Sequence, residues 1–246
     1  MSEIIIDEWS LKRHLSYLSD LKWNECYLVF GCVKERFAER LMNLNLKDVV
    51  LLREVVTPST DWRERLEMKI WRIASQLERA DRCFKVKGKF IISEVTCVMM
   101  LMNPRDSLKA NLEFGLRREK LIYDMLLNLN DSSFSRIPRL DLEWYRSLHK
   151  KKSRSEWVII DIDENWESLL QKVLDLVSPF NVKYVINTFR GYHVALHLPR
   201  KEERSEFFKS SEREELIDLN VEILTDSLEP LAGTRYGDKV IEFKEV

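Results

Sequence analysis

The chain has 246 residues with 41 acidic and 40 basic side chains, and its 45% hydrophobic content is too high for a disordered protein. A net charge of −1 excludes a global basic field for nucleic acid, so any such contact must come from a local patch. The four cysteines lack CxxC spacing, so we expect no zinc site; no apolar run reaches the ~18 residues of a membrane span. These features predict a cytoplasmic globular protein.

Residues 1–150 predict an N-terminal α/β module. Its predicted elements are a strand at Cys26–Cys32, a helix at Lys34–Asn43, a strand at Val49–Val56, a helix at Asp61–Ala80, a hairpin at Phe84–Ile92, a strand at Thr96–Met102 and a helix at Ser107–Leu129. A polar segment at 131–139 predicts a linker, and the charge run at 149–154 predicts a second break. We therefore place a module boundary near residue 150.

Residues 151–246 predict a second module. Its predicted elements are a strand at Glu156–Asp163, a helix at Trp166–Val177, strands at Lys183–Thr188 and Tyr192–Leu198, a helix at Lys201–Leu216, and strands at Val221–Leu224 and Lys239–Phe243. The order βαββαβ is that of the ferredoxin-like or RRM-like fold. The predicted class is therefore α+β, with an N-terminal α/β module and an RRM-like module packed as one unit.

Two carboxylates end the first strand of this second module. Asp161 and Asp163 alternate with isoleucines, so both point to one side of the sheet. In the predicted fold the helices cover one sheet face, and parity brings His193 to the pair on the other, open face. Paired carboxylates repel each other unless a cation lies between them, and Mg²⁺ or Mn²⁺ prefers such oxygen ligands. The alternative is that Asp163 caps the helix that follows.

A third acid and a set of phosphate ligands complete the predicted site. Asp226 follows the second helix and could return to the same face, with Asp218 as its competitor. Arg190 and His193 could hydrogen-bond a phosphate, although a lone strand histidine can also be a satisfied core residue. Gly191, next to Arg190, is expected to supply the positive φ of a hairpin turn.

Three segments together resemble the motifs of the archaeo-eukaryotic primase superfamily, in particular the catalytic core of virus and plasmid primase-polymerases. They are Asp161-Ile-Asp163, the segment Thr188-Phe-Arg-Gly-Tyr-His193, and the segment from Thr225-Asp226 to Gly233-Thr234. Met102-Asn103-Pro104-Arg105 also resembles the strand-ending NPR of the N-terminal module in these enzymes. The resemblance covers roughly residues 95 to 240, and the family's catalytic module is RRM-like.

The resemblance implies a template-directed nucleotidyltransferase, a DNA primase or primase-polymerase. Asp161, Asp163 and Asp226 would hold Mg²⁺ or Mn²⁺, and Thr188, Arg190 and His193 would bind the phosphates of the incoming nucleotide. Further nucleotide or template contacts are assigned to Arg235, Lys239 and Arg105. The implied partners are a single-stranded DNA template and nucleoside triphosphates, with a helicase or a second primase subunit as candidate protein partners.

A second interpretation is a non-catalytic, primase-fold, nucleic-acid-binding subunit of a replication complex. It is favoured by Glu229 and Ala232 in motif three, where the family tends to carry a basic residue and proline. The basic runs Lys150–Lys152 and Arg117–Lys120 could touch a template backbone, although such runs more often face solvent.

Overall fold

The computed structural model describes residues 6–45, 47–127, 140–188, 190–237 and 239–246. Its helices are α1 (Glu8–Ser16), α2 (Glu35–Met42), α3 (Trp62–Leu77), α4 (Ala80–Cys83), α5 (Ser107–Leu127), α6 (Leu140–Lys150), α7 (Glu167–Val177), α8 (Lys201–Lys209) and α9 (Ser211–Asp218). Its strands are β1 (Glu25–Val33), β2 (Val49–Val56), β3 (Lys85–Val86), β4 (Lys89–Phe90), β5 (Thr96–Leu101), β6 (Arg105–Asp106), β7 (Trp157–Ile162), β8 (Val182–Asn187), β9 (Tyr192–His197), β10 (Glu222–Leu224), β11 (Leu228–Pro230), β12 (Arg235–Tyr236), β13 (Lys239–Val240) and β14 (Glu242–Glu245).

The first sheet has the strand order β13-β12-β5-β1-β2 and is antiparallel. All nine residues of β1 are buried, since this strand lies inside the sheet and α3 packs against it. β6 pairs with β1, and β11 pairs with β5. Strands β11, β12 and β13 therefore belong to the sheet of the N-terminal half, although they lie well beyond the predicted boundary near residue 150, which stays a prediction.

The second sheet has the order β10-β7-β9-β8-β14 and is also antiparallel. Along the chain, the first four strands of this sheet and the three helices that connect them follow the order β7, α7, β8, β9, α8, α9 and β10. β7 and β9 are neighbours inside this sheet, and residue Asp161 lies directly opposite His193. The protein is thus a mixed α+β structure, with both sheets antiparallel.

Strand parity places the apolar side chains of β7 on two different cores. Val158, Ile160 and Ile162 pack with α7, α8 and α9, as predicted. Trp157 and Ile159, on the opposite face, pack against the first sheet. Each such fully buried side chain contributes roughly 1.5–3 kcal/mol through burial. The prediction that the second face of this sheet is open is therefore wrong. The first sheet covers that face, because the side chains that β7 presents there near its start are also apolar.

Two predicted elements are divided in the structure. The helix predicted at Lys201–Leu216 is interrupted at Ser210, whose backbone is extended and whose hydroxyl accepts a hydrogen bond from the Arg213 N–H at the start of α9. The strand predicted at Lys239–Phe243 is divided between the two sheets, because the fully buried Ile241 separates β13 from β14. Helices α1 and α6 were not predicted.

The side chain of Asn103 links the two sheets through hydrogen bonds. Its side-chain oxygen accepts hydrogen bonds from the backbone N–H groups of Glu156 and Trp157, and its amide donates to the carbonyls of Trp157 and Thr225. Asn103 is 3% exposed, so these bonds satisfy a buried amide that would otherwise be costly. The start of β7 is therefore held against the end of β5.

The predicted linker at 131–139 and the residue Phe189 lie outside the described residues. In the part of the chain that the structure describes, no helix is both long and apolar enough to cross a membrane.

Candidate functional site

The strand-end carboxylates lie where β7 leaves the sheet. Asp161 is the fifth residue of β7 and its side chain is 26% exposed, whereas Asp163 follows the strand and is exposed. The N-cap of α7 is Trp166, which receives no side-chain cap hydrogen bond, so Asp163 does not cap this helix. Both carboxylates line one cleft, and Asp163 is available to a ligand there.

His193 lies between two carboxylates. Its Nε2 is 3.3 Å from Oδ1 of Asp161 on the neighbouring strand, and its Nδ1 is 3.3 Å from Oε2 of Glu229. Glu229 is on β11 of the first sheet and is fully buried. The contacts of Asp161 with His193 and of His193 with Glu229 therefore cross from one sheet to the other. They place the buried Glu229 side chain beneath the floor of the cleft.

The two carboxylates decide the charge of His193. Burial alone would lower the pKa of His193, but Glu229 and Asp161 outweigh it and raise this pKa to about 10. Burial alone would likewise raise the pKa of Asp161, yet the His193 cation, with Arg36 and Lys34, lowers it. At neutral pH the cleft therefore contains an imidazolium beside an ionised carboxylate.

The turn between β8 and β9 presents the predicted phosphate ligands. Both the backbone N–H and the hydroxyl of Thr188 donate to the carbonyl of Gly191, at 3.0 and 3.2 Å. Gly191 does not have the positive φ that was predicted. It is required for another reason: a Cβ at this position would lie 1.6 Å from the carbonyl oxygen of Ile162. Gly191 therefore packs closely against the end of β7, beside Asp163.

A cleft of about 420 Å³ joins these groups to the first sheet. It brings together Asp161, Asp163, Thr188, Arg190 and His193 from the second sheet. The opposite wall is supplied mainly by α2, by the residue before it and by β12, and its side chains include Lys34, Glu35, Arg36, Glu39, Asp48 and Tyr236. Five of the nine predicted site residues therefore share one cavity.

The wall opposite the carboxylates carries cations of its own. Lys34 pairs with Asp48, and Arg36 donates to the hydroxyl of Tyr236. The guanidinium of Arg190 lies 5.8 Å from the centre of the Phe37 ring. Three basic side chains thus face one space with the two strand-end carboxylates, and three further acids, Glu35, Glu39 and Asp48, line the same space. This mixture of charges suits a ligand with both a phosphate and a bound cation.

Asp226 does not join this cleft, so the predicted cluster of three aspartates is wrong. β10 pairs Glu222 with Asp161 and Leu224 with Ile159, so the chain moves away from Asp161 as it approaches Asp226. The Asp226 carboxylate instead forms a two-point ion pair with the guanidinium of Arg105, at 2.9 and 2.5 Å. A partner for that cation is needed because Arg105 is fully buried.

The other predicted nucleotide ligands lie elsewhere. Arg105, fully buried, also donates to the carbonyl of His149 and cannot reach a nucleotide. Arg235 donates to Glu78 and to the hydroxyl of Ser93, at 3.1 and 3.0 Å, and does not line the cleft. Lys239 is exposed on β13, opposite Tyr236, and is not a cleft residue either. Asp218, the competitor for the third place, ends α9 and lines a different depression.

Sequence reasoning did not assign four residues of this region to the site. Lys34 and Arg36 were assigned only to a charged helix face, yet their position directly after a buried strand could have indicated a site. Glu229 is a single acid among apolar residues, which is itself a signal of a buried ion pair. Glu222 lies opposite Asp161 in the register of β10, and no sequence pattern distinguishes it from the many exposed acids.

Among the described residues, no group of three or more His, Cys, Asp or Glu side chains is arranged to hold one metal ion. Comparison with protein-family models, with curated proteins and with solved structures found no match to this chain.

Proposed function

We propose that this protein is a template-directed nucleotidyltransferase, a DNA primase or primase-polymerase that uses Mg²⁺ or Mn²⁺. The observation that carries the proposal is the single cleft shared by Asp161, Asp163, Thr188, Arg190 and His193. These are the residues of motifs one and two, and they come from different strands. The βαββαβ order and the strand order β10-β7-β9-β8 support an RRM-like interpretation of the second sheet.

Asp161 and Asp163 would hold the divalent ion in the cleft. Mg²⁺ is usually bound by one or two carboxylates together with water and substrate phosphates, so a third aspartate is not required. Asp163 is exposed at the cleft, and Asp161 would exchange its contact with His193 for the ion. When bound, the ion would neutralise the triphosphate and activate the attacking hydroxyl.

The remaining cleft residues would hold the nucleotide. Arg190 can bind a phosphate with two parallel hydrogen bonds, and the His193 cation adds a charged donor at the floor. Lys34 and Arg36 lie on the opposite wall, where they would face the same phosphates from the other side. The positive charges offset the triphosphate, which carries more charge than one divalent ion can balance.

The partners would be a single-stranded DNA template, nucleoside triphosphates, and a helicase or second primase subunit. The thiols of Cys26, Cys32 and Cys97 are buried and free, and burial, the largest influence on each, raises the pKa of all three. Buried unpaired thiols are common in proteins of a reducing compartment such as the cytoplasm, which we infer as the location.

A non-catalytic nucleic-acid-binding subunit is the second candidate. It is favoured by the sequestered Asp226, whose carboxylate is occupied by Arg105, and by the contact between Asp161 and His193. In such a protein the cations of the cleft would bind a strand without a divalent ion, and a partner chain would supply the chemistry.

Primer extension and primer synthesis on single-stranded DNA, each with Mg²⁺ and with Mn²⁺, test the proposal. The double variant Asp161→Asn/Asp163→Asn should lower incorporation by about a hundredfold or more, since metal-assisted charge stabilisation contributes several kcal/mol. The matched control Asp218→Asn removes an acid outside the cleft and should retain wild-type activity. A folded wild type that binds DNA in EDTA but incorporates no nucleotide would contradict catalysis and favour the binding subunit.

A further inference from the structure

A second pocket lies at the other end of β7. It has a volume of about 320 Å³, and three basic side chains line it: Lys152, Lys201 and Arg204. Among the described residues no carboxylate contributes to its lining. In the cleft described above, basic and acidic side chains are mixed, so the two cavities differ in charge. The second pocket suits an anion that arrives without a divalent metal ion.

The rest of the lining supplies hydrogen-bond donors and an apolar floor. Ser155, Ser205 and Thr225 provide hydroxyl groups, which can donate to phosphate oxygens. Phe208, near the end of α8, offers an aromatic surface beside the cations. Basic side chains interleaved with an aromatic ring are the combination that single-stranded nucleic acid binds.

One lining residue of the pocket, Trp157, carries an unsatisfied buried donor. Trp157 lines the pocket and its side chain is 1% exposed, yet its indole N–H finds no acceptor among the described residues. Leaving a buried donor unpaired costs about 1–3 kcal/mol.

The cations at this pocket are not neutralised by acids in the described structure. Lys152 has only a long contact, 3.5 Å, with the carbonyl of Thr225. Arg204 donates to the carbonyls of Leu198 and Pro199, which are neutral groups, so its charge is not balanced by these contacts. Lys201 is exposed at the start of α8. The pocket therefore keeps a net positive charge.

We propose that this pocket binds a phosphate group of a single-stranded nucleic acid. The inference rests on the proposed function, since it extends the template path of the same protein to a second contact. Trp157 and Asp161 are four residues apart on β7, roughly 13 Å at the rise of a strand. One strand could therefore contact the pocket while its end lies in the cleft. The phosphate could be internal or at the end of the strand.

The test measures binding of a fluorescent single-stranded oligonucleotide in EDTA, so that no divalent ion takes part. The double variant Lys152→Glu/Lys201→Glu should weaken binding by roughly tenfold. A plot of the logarithm of the association constant against the logarithm of the salt concentration should become less steep, by about 0.7 for each phosphate that the variant no longer neutralises. The matched control is Lys172→Glu/Lys209→Glu, which makes the same charge change at exposed positions of α7 and α8 outside the pocket. It should stay within about twofold of wild type.

A milder variant, Lys201→Gln, guards against loss of the fold and should still weaken binding more than Lys209→Gln.

Oligonucleotides with a 5′-phosphate and with a 5′-hydroxyl distinguish the two sources: weaker binding confined to the former assigns a terminal phosphate, and equal weakening of both assigns an internal one. The proposal is overturned if pocket and control variants bind alike, or if wild type binds no strand. Failure of the proposed function would look different: no incorporation, with the pocket variants still binding DNA more weakly than the control.

Discussion

His193 Nδ1 lies 3.3 Å from the carboxylate of Glu229, which is fully buried between the two sheets. The contact joins β9 of the second sheet to β11 of the first, a strand that the chain forms soon after β10. In the described structure neither oxygen of Glu229 has a hydrogen-bond partner, so this ion pair is its principal compensation for burial. The charge of the cleft floor thus depends on a residue outside the cleft.

Replacing Glu229 with glutamine should lower the free energy of unfolding by about 1–3 kcal/mol, since the His193 cation loses one of its two carboxylates in a buried setting. Urea denaturation measures the change. Glu202→Gln, at an exposed position on α8, is the matched control and should alter stability by less than about 0.5 kcal/mol. Equal stability of the two variants would mean that the Glu229 contact carries no net free energy.

Asp226→Asn should destabilise the protein by about 3 kcal/mol, because it leaves the fully buried Arg105 cation without its ion-pair partner. This destabilisation lies at the low end for buried ion pairs, because the Asp226 side chain is 33% exposed and water can partly replace its carboxylate. Thermal denaturation measures this destabilisation, and calorimetric titration with Mn²⁺ measures metal affinity. Affinity should be unchanged in Asp226→Asn and reduced in Asp163→Asn; the opposite result would restore Asp226 as a ligand.

Acid should destabilise the protein through His14. Burial, together with the nearby His193 charge, lowers the pKa of His14 to about 3, compared with about 6.5 in an unfolded chain. The unfolded state therefore binds the proton more readily, and stability falls as the pH drops from about 6.5 towards 3, by up to about 1.4 kcal/mol per pH unit. Urea unfolding at about pH 7 and about pH 5 should show this decrease. The variant His14→Gln should reduce it, and an unchanged slope would contradict the assignment.

Alkali should destabilise the metal-free protein through His193. Its folded pKa of about 10 lies above the unfolded value, so the contribution is complete below about pH 6.5 and is lost as the pH rises from there through 10. The decrease is at most about 1.4 kcal/mol per pH unit. Unfolding curves between about pH 7 and about pH 9 should decline more steeply for the wild type than for His193→Gln. Parallel curves would show that the imidazolium is not held in the folded state.

Two glycines provide opposite tests of the backbone. A Cβ at Gly191 would meet the carbonyl oxygen of Ile162, whereas one at Gly115, in α5, meets nothing within 4 Å. Gly191→Ala should destabilise the protein and displace the turn beside Asp163. Gly115→Ala should stabilise it by about 0.5–1 kcal/mol, because alanine is the better helix former. Thermal midpoints measure both, and stabilisation by Gly191→Ala would contradict the close approach of the turn to β7.

Local patterns predicted most of the second sheet. Alternation along β7 and β9, together with the βαββαβ order, was enough to predict that Asp161 and His193 lie on the same face of the sheet, because side chains on a strand have a period of two. The structure adds the register, in which Asp161 lies directly opposite His193. The long apolar or amphipathic segments, such as β1 and α3, were also evident from periodicity. Residues that depend on contacts distant in sequence were not: Asp226 was expected at the metal site, and its pairing with Arg105 joins positions 121 residues apart.

The sequence by itself determined the strand-end carboxylates, the histidine beside them and the turn that carries Arg190, because these follow from short-range periodicity and from the order of elements. Only the tertiary structure decided what surrounds them. The first sheet covers the face expected to be open and brings Lys34 and Arg36 to the opposite wall of the cleft. It also places Glu229 beneath His193 and leaves Asp226 with Arg105. Such pairings are selected by the cost of burying an unpaired charge, which depends on the packing of distant segments and has no local sequence pattern.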